Sequence, residues 1–464
     1  MGRARSSEPE DGQVASLNHD GAGVVHGGRT AFVAGALPGE TVRYLRRKRR
    51  GSHDEAELLE VLVPSPLRIT APCAHFALCG GCALQHLDIS EQLAAKSQQL
   101  RDALQRLGKV APQDWLPPIV GPAWGYRRRA RLGARYVTKL GRSLVGFRER
   151  RGSFIADLER CAVLASPVDD LLTPLSSLLT SLAIRERVPQ IEVAVGDNAT
   201  ALVLRVLDEP GVDDLARMRA FEQRHGVEIH LQPKGLDSVR ALSPPATTLH
   251  YRLDAYDLEL EFLPTDFVQI NGAVNAQLIA AVREHLCLDA ESRVLDLFCG
   301  LGNFSLPLAR HAAAVVGVEG EAALVARASH NAAHNNITNA MFLQGNLFQL
   351  GAADARWSAQ SFSHVLLDPP RAGAREVLPL VAGLKPRRLV YVSCHPATLA
   401  RDLGLLVHEH GFELEAAGIA DMFPHTAHVE SVAVLRQFKR VRHSAVAHQR
   451  EAERAALQHN PPPI

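Results

Sequence analysis

The chain has 464 residues, of which 46% are hydrophobic and 22% charged, with a formal net charge of +1. That length gives room for about three domains at roughly 150 residues each, with the composition of an ordinary globular protein. No apolar run approaches the roughly 20 residues of a membrane span, and MGRARSSEPEDG lacks the apolar core of a secretory signal, so the chain is expected to be cytoplasmic.

Residues 1–11 are polar and charged and are read as a disordered N-terminus. Over 12–64, short apolar runs alternate with turn signals. VASL leads into NHDGAG, TAFVAGA into LPGE, and ELLEVLV closes the unit. Asp20-Gly21 and Pro38-Gly39 are hairpin-type turns, so the spacing predicts a small β-barrel. Residues 65–265 are read as a β-rich central domain. It opens on CAHFALCGGC and continues into a helix N-capped by Ser90 and ending at Gly108. Strand-like stretches follow, such as RARLGARYV, QIEVAV and TALVLRVL. From 266 to 440 the pattern changes. SRVLDLFCG, AAVVGVEG, AMFLQGN, SHVLLDPP and RRLVYVSCH read as strands, with helical stretches such as EAALVARASHNAAHN between them. That alternation predicts an α/β, Rossmann-like, doubly wound sheet. Residues 441–464, ending NPPPI, read as a loose tail.

Two basic stretches stand out against the near-neutral total. One holds Arg43, Arg46, Arg47, Lys48, Arg49 and Arg50; the other runs from Arg127 to Arg151 and interleaves Tyr136 and Phe147. Arginine supplies forked donors to phosphate, and aromatic faces stack unpaired bases. A polyanion partner is therefore expected, with Arg127, Arg128 and Arg129 as candidate contacts. Seven cysteines, odd in number and unevenly spread, point to metal ligands or nucleophiles rather than disulfides. Cys73, Cys79 and Cys82 are spaced C-x5-C-x2-C around Gly80 and Gly81. They suit a zinc site completed by His75 or His86, or a [4Fe–4S] cluster completed by a distant cysteine.

DLFCGLGNFS sets Gly300 and Gly302 between a strand and a helix, where the backbone passes close to a ligand. Glu319, 17 residues past Gly302 at the end of the next strand, suits a ribose. A dinucleotide fingerprint wants a glycine where Ser305 stands, which counts against an NAD-linked oxidoreductase. Asp368-Pro369-Pro370 forms a rigid extended turn beside the crevice. Hydride transfer has no use for that turn, whereas a methyltransferase acting on a base does. S-adenosylmethionine is the expected cofactor. In YVSCHPATL, Cys394 follows an apolar strand; a buried structural cysteine and a nucleophile both fit that context.

DLFCGLGNFSLPLA, VGVE, LLDPPRAG, YVSCHPATLARDL and FPHTAHVE, in that order, resemble the RNA uracil-5-methyltransferases. The likeness is dense over 266–438 and, with the barrel and cysteine segments, spans almost the whole chain. It implies Cys394 as the nucleophile that adds to carbon 6 of uracil and Glu430 as the base that takes the proton from carbon 5. It implies Gln269, Phe298, Asn303, Glu319, Asn346 and Asp368 as S-adenosylmethionine contacts. Phe267 is either a platform for the target base or core packing, and Cys299, the competing nucleophile, is read as packing. Cys161, in LERCAVL, is implied as the fourth ligand of a [4Fe–4S] cluster held with Cys73, Cys79 and Cys82. GAGVVHGGRTAFVAGALPGETV resembles the TRAM domain, a small RNA-binding barrel. Barrel and cluster together resemble the branch that acts on 23S ribosomal RNA. A uridine of the 1939 type is the expected target, with transfer RNA as the runner-up substrate. The target base is expected in an unpaired loop, flipped from its stack. A non-enzymatic iron–sulfur RNA-binding relative would have lost Cys394, Glu430 or Asp368, and all three are present. The partner is expected to be RNA, not DNA or a membrane, and the chain a monomer.

Overall fold

A computed structural model describes residues 8–150, 152–349 and 355–437. The proposed tail, 441–464, lies outside these residues, as does most of the segment read as disordered.

Strands β1 (Glu10–Leu17), β2 (Gly23–Val25), β3 (Ala31–Ala34), β4 (Thr41–Arg49) and β5 (Asp54–Val63) close into a barrel in the order β1-β2-β3-β5-β4. Val14, Val25, Val33, Val42 and Tyr44 point inward and are buried, as the two-residue period of a strand requires. β1 starts inside the segment read as disordered, and the reason is electrostatic. Glu10 accepts from Arg46 and Asp11 from Arg43, each at 2.8 Å. The same pairing corrects the reading of the first basic stretch. Arg46 also meets Asp54 at 2.9 Å, Arg47 meets Glu57, and Arg50 meets Glu55 at 2.6 Å. Much of the charge taken for a phosphate-binding patch is spent across the strands of its own barrel.

Helix α1 (Ile89–Ala103) follows the cysteine loop. Asp88 caps it rather than Ser90: its carboxylate accepts from the Ser90 N–H at 2.9 Å. One wider turn, Leu104–Gly108, carries the helix to the expected glycine. A Cβ on Gly108 would stand 2.4 Å from the carbonyl oxygen of Ala400, so the glycine is needed for close packing there. The short β6 (Asp114–Trp115) comes next.

The central domain is built on β7 (Arg129–Val137), β8 (Arg142–Gly146), α2 (Leu172–Ser181), β9 (Gln190–Val195), β10 (Thr200–Arg205), α3 (Val212–His225), β11 (Glu228–Gln232) and β12 (Arg240–Ala241). Its six-stranded sheet has the order β12-β11-β10-β9-β7-β8, and leucines of α2 fill its core. A hairpin of β13 (Leu249–Leu253) and β14 (Leu258–Phe262) leads out of it.

The rest is the predicted doubly wound unit: α4 (Gly272–Leu286), β15 (Arg293–Leu297), α5 (Ser305–Ala309), β16 (Ala314–Glu319), α6 (Ala322–His334), β17 (Ala340–Gln344), α7 (Ala355–Ser358), β18 (His364–Leu367), α8 (Leu378–Leu384), β19 (Arg388–Ser393), α9 (Pro396–His408), β20 (Phe412–Ala420) and β21 (Glu430–Gln437). The sheet runs β17-β16-β15-β18-β19-β21-β20-β6. β15 to β19 are parallel; β21 runs against both β19 and β20. β6 joins the far edge, so the segment after α1 is sewn into this sheet.

Candidate active site

The strand order reverses between β15 and β18, and a cavity of about 530 Å³ opens at their carboxyl ends. Open α/β sheets take ligands at this point. The turn after β15 shapes the floor, with φ of 67° at Phe298, 55° at Gly300 and 95° at Gly302. Nothing lies within 4 Å of where a Cβ on Gly300 would stand, so the bare backbone faces open space. Glu319 ends β16. One of its oxygens accepts from Gly300 N–H at 3.1 Å, the other from Gly320 at 2.7 Å and Glu321 at 3.1 Å. Three backbone donors thus fix the carboxylate at the wall. Asn303 is held by the Tyr251 hydroxyl at 2.9 Å and by a reciprocal amide pair with Asn275 at 2.8 and 3.0 Å. Gln269, Phe298, Asn346 and Asp368 line the same cavity. Phe267 lines it too and is 69% exposed, which rules out core packing.

Tyr251 and Asn275 carry no local sequence signal; only the fold brings them to Asn303. Asp296 was also missed. It is fully buried in β15, accepts from the Ser305 hydroxyl, and its second oxygen has no partner among the described residues. Burial, reinforced by the charge of Glu319, pushes its carboxyl up to about 7. The Ser305 that spoils a dinucleotide fingerprint is therefore the partner of a buried acid. The donor set fits S-adenosylmethionine: a fixed carboxylate for ribose hydroxyls, amides from Gln269, Asn303 and Asn346, and the aromatic ring of Phe298.

Cys394 lies between the end of β19 and the start of α9, whose cap is the His395 ring accepting from Thr398 N–H at 3.3 Å. β19 and β21 pair with Ser393 opposite Ser431. That register sets the next residue, Cys394, beside Glu430. Burial pushes the Cys394 thiol up to about 11, with the charges of Glu430 and Asp368 adding and Arg371 opposing. Glu430 is 4% exposed, and burial, then the charge of Asp368, drives its carboxyl well above the ordinary range. Asp368 itself is pushed up to about 7 by burial and by Asp296. Cys299 is buried with its sulfur packed under Gly317, where a Cβ would meet it at 2.8 Å.

A second cavity, of about 790 Å³, lies on the other side of Cys394. Its walls come from the barrel (Leu17, His19, Asp20), the cysteine loop (Gly80, Gly81), Arg127, Phe147 and the turn at His395. Among the described residues, only Cys394, Arg371 and Phe423 line both cavities. Of the three candidate arginines, Arg127 alone faces this cleft, its guanidinium 5.4 Å from the Phe147 ring centre. Arg128 and Arg129 do not: Arg128 pairs with Asp197, and Arg129 donates to the Pro264 carbonyl. Those partners hold both side chains away from the cleft.

Residues 421–429, between β20 and β21, form the wall beside Cys394 and are held from elsewhere in the chain. The His425 carbonyl accepts from Ala83 and Leu84 at 2.9 and 3.0 Å. Its N–H donates to Gln92 at 3.0 Å, and its ring lies 4.0 Å from Trp124. Tyr126 donates to the Pro424 carbonyl at 3.0 Å. The ammonium of Lys96, buried on α1, donates to Asp421 at 2.6 Å and to the Phe423 carbonyl at 3.0 Å.

Cys73, Cys79, Cys82 and Cys161 line one small cavity, all as free thiols. Burial pushes Cys82 up to about 11 and Cys161 up to about 12, and neighbouring thiols add to both shifts. Arg150 clasps the loop, donating to the carbonyls of Phe76 at 3.0 Å and Cys82 at 2.8 Å. His75 also lines the cavity, but His86 does not. Among the described residues, only Glu259, Glu261 and His334 bring three ligating atoms within 4.8 Å of one another, so no three of the thiols are drawn that tightly.

Such a fold, with this crevice at the reversal of its sheet, defines an S-adenosylmethionine-dependent methyltransferase. The sequence model of the family described as tRNA (Uracil-5-)-methyltransferase matches residues 205–438. A Methylococcus capsulatus protein named 23S rRNA (uracil(1939)-C(5))-methyltransferase RlmD is 48% identical, over 92% of this chain and 97% of its own. A protein of the same name from Nitrosococcus oceani is 48% identical over 94% and 98%. The chain belongs to the RNA uracil-5-methyltransferases and is an S-adenosylmethionine-dependent uracil-C5 methyltransferase. The Pyrococcus abyssi tRNA (uracil-54, C5)-methyltransferase, solved with S-adenosyl-L-homocysteine, shares the fold, with a TM-score of 0.71 at 24% identity. That likeness covers 92% of this chain and 99% of the other. No described helix is long and apolar enough to cross a membrane.

Proposed function

We propose that the enzyme methylates carbon 5 of a uridine of the 1939 type in 23S ribosomal RNA, through a covalent adduct of Cys394 at uracil carbon 6. One observation carries the reading: Cys394 stands where two cavities meet, with Glu430 beside it and the S-adenosylmethionine residues on the far side. The substrate follows from the relatives' names and from the near-complete match to them.

S-adenosylmethionine bound against Glu319, Asn303 and Asp368 would present an electrophilic methyl group to the shared wall. The chain's residues do the rest. The Cys394 thiolate adds to carbon 6, and the uracil ring becomes an enolate whose carbon 5 is nucleophilic. Phe267 stacks on the flipped base. After methylation Glu430 takes the proton from carbon 5, and the carbon–sulfur bond breaks with its electron pair returning to sulfur. A carboxyl held well above its ordinary range is a stronger base for that proton once ionised.

The four thiols are read as ligands of a [4Fe–4S] cluster. Four cysteines line one cavity, the all-thiolate set that such a cluster takes. The cluster is assigned a structural role. The barrel is read as a TRAM-type RNA-binding module, and with Arg127 and Phe147 it lines the RNA side of the site. The division at 12–64, 65–265 and 266–440, a cytoplasmic location and a monomeric state complete the reading.

Tritium release from 23S RNA labelled at uracil carbon 5 tests it, with wild type beside Cys394→Ala. Release by wild type alone is expected. Release by the mutant would pass the role of nucleophile to Cys299, and release only from transfer RNA would change the substrate.

A further inference from the structure

Cys394 has a chemical difficulty that the residues assigned so far do not relieve. It is half-buried between two carboxyl groups, Glu430 on β21 and Asp368 after β18, and each ionised neighbour makes a thiolate costlier. The histidines nearby do not offset them. Burial lowers His395 on α9 and His428 in the 421–429 wall, so neither is a standing cation at neutral pH. His19, Asp20 and Arg127 line only the RNA-side cleft.

Arg371, directly after Asp368-Pro369-Pro370, is different. Among the described residues it is the one cationic side chain that lines both cavities at the thiol. Among the described residues its guanidinium has no carboxylate partner, whereas Arg128 and Arg401 are paired with Asp197 and Asp402. Its backbone is tied to the nucleophile's own helix: Thr398 on α9 donates to the Arg371 carbonyl at 3.1 Å. The turn is fixed from behind as well, with Gly373 N–H donating to the Pro370 carbonyl at 2.9 Å. The backbone that carries this cation is thus tied to the nucleophile's helix, and no carboxylate among the described residues pairs with it.

We infer that Arg371 is the thiolate-stabilising residue of the reaction, its guanidinium facing the Cys394 sulfur whenever that sulfur is anionic. This rests on the reading of Cys394 as nucleophile. The thiol proton goes to solvent through the open cleft, and the electron pair stays on sulfur beside the guanidinium. That pair then forms the bond to carbon 6. It returns to sulfur at elimination, as Glu430 receives the proton of carbon 5. Arginine suits the task because it keeps its charge at every working pH.

The test is the rate at which iodoacetamide alkylates Cys394 in the full-length, cluster-loaded enzyme without RNA, from pH 7 to 9.5, by mass spectrometry of the Cys394 peptide. Exposed Cys287 serves as the internal control. Arg371→Gln should slow alkylation of Cys394 about tenfold across the range, the equivalent of one unit in the thiol pKa, and leave Cys287 unchanged. Arg371→Lys should keep most of the rate, and Arg371→Met should repeat the glutamine result. Methyl transfer by Arg371→Gln should recover as pH rises. Unchanged alkylation of Cys394 in both neutral variants overturns the inference. If those variants also lose salt-dependent RNA affinity, the guanidinium serves a phosphate instead. Tritium release by Cys394→Ala reports separately on the nucleophile, so the two failures cannot be confused.

Discussion

The cofactor cavity and the wall beside Cys394 are built in opposite ways. The cavity is made by one sheet from its own strand ends, and its key carboxylate is fixed by three backbone N–H groups within two short turns. The 421–429 wall has one internal turn, in which Thr426 donates to the Phe423 carbonyl and accepts from His428, and the rest of its support comes from outside. Its carbonyls and one buried carboxylate are held by Ala83, Leu84, Lys96 and Tyr126, and the N–H groups of Asp421 and His425 are taken by Ile119 and Gln92. The first design makes binding of the methyl donor a property of the catalytic domain. The second makes the chemistry depend on the cysteine loop and α1, more than 300 residues earlier in the chain. A reason for an accessory domain follows: it moulds the reacting half of the site.

Cys394→Ala gives the largest effect expected. Tritium release should fall by at least about four orders of magnitude, the scale of losing a covalent route. Binding of S-adenosylmethionine, followed by calorimetry, should be unchanged; a large loss of binding would mean that the two halves are not separable. Lys96→Met comes next. It strands the buried Asp421 carboxylate, which costs about 3–5 kcal/mol. We expect a lower melting temperature and a kcat reduced far more than the cofactor affinity. The double variant Lys96→Met/Asp421→Asn should recover part of the stability, and its failure to do so would place the loss elsewhere than in the unpaired charge. Removing the proposed cluster with a chelator and an oxidant should raise hydrogen exchange in 421–429 and leave the turns around Glu319 protected. Equal exchange in both regions would end the comparison.

Two smaller effects come from the buried acids. The thiolate and the ionised carboxylates are the reactive forms, and burial sets Cys394 at about 11 and Asp368 at about 7. Initial rates at saturating RNA should therefore climb from pH 6 to 9, and a plateau below pH 7 would contradict the assignment. Asp296→Asn acts on stability. The folded carboxyl titrates at about 7 against an ordinary 3.8, so its contribution is full below pH 3.8 and is lost as pH rises through 7. The asparagine variant should gain melting temperature over wild type between pH 4 and 7 and hold a constant advantage above.

The parallel strands, the glycine turn, Glu319, Asp368 and Cys394 were legible because each is a local pattern: an apolar run, then a residue whose chemistry needs the strand end. The barrel was legible from its turns. What misled was charge. Arg43 to Arg50 looked like a phosphate patch, but acids from β1 and β5 neutralise much of it, and those partners lie up to 36 residues away. Arg128 and Arg129 looked equivalent to Arg127, but the Asp197 carboxylate and the Pro264 carbonyl, both distant in the chain, draw them elsewhere.

By itself the sequence determined the class of fold and set Glu319, Asp368 and Cys394 at strand ends, because hydrophobic periodicity and turn chemistry act over a few residues. The tertiary structure alone decided which groups meet. It set Glu430 beside Cys394 through the register of β19 and β21, Tyr251 and Asn275 against Asn303, and Lys96 beneath Phe423. Among the described residues it also left Arg371 without a carboxylate partner at the thiol. Contacts between residues far apart in the chain depend on strand order and packing, and short-range sequence patterns carry no record of either.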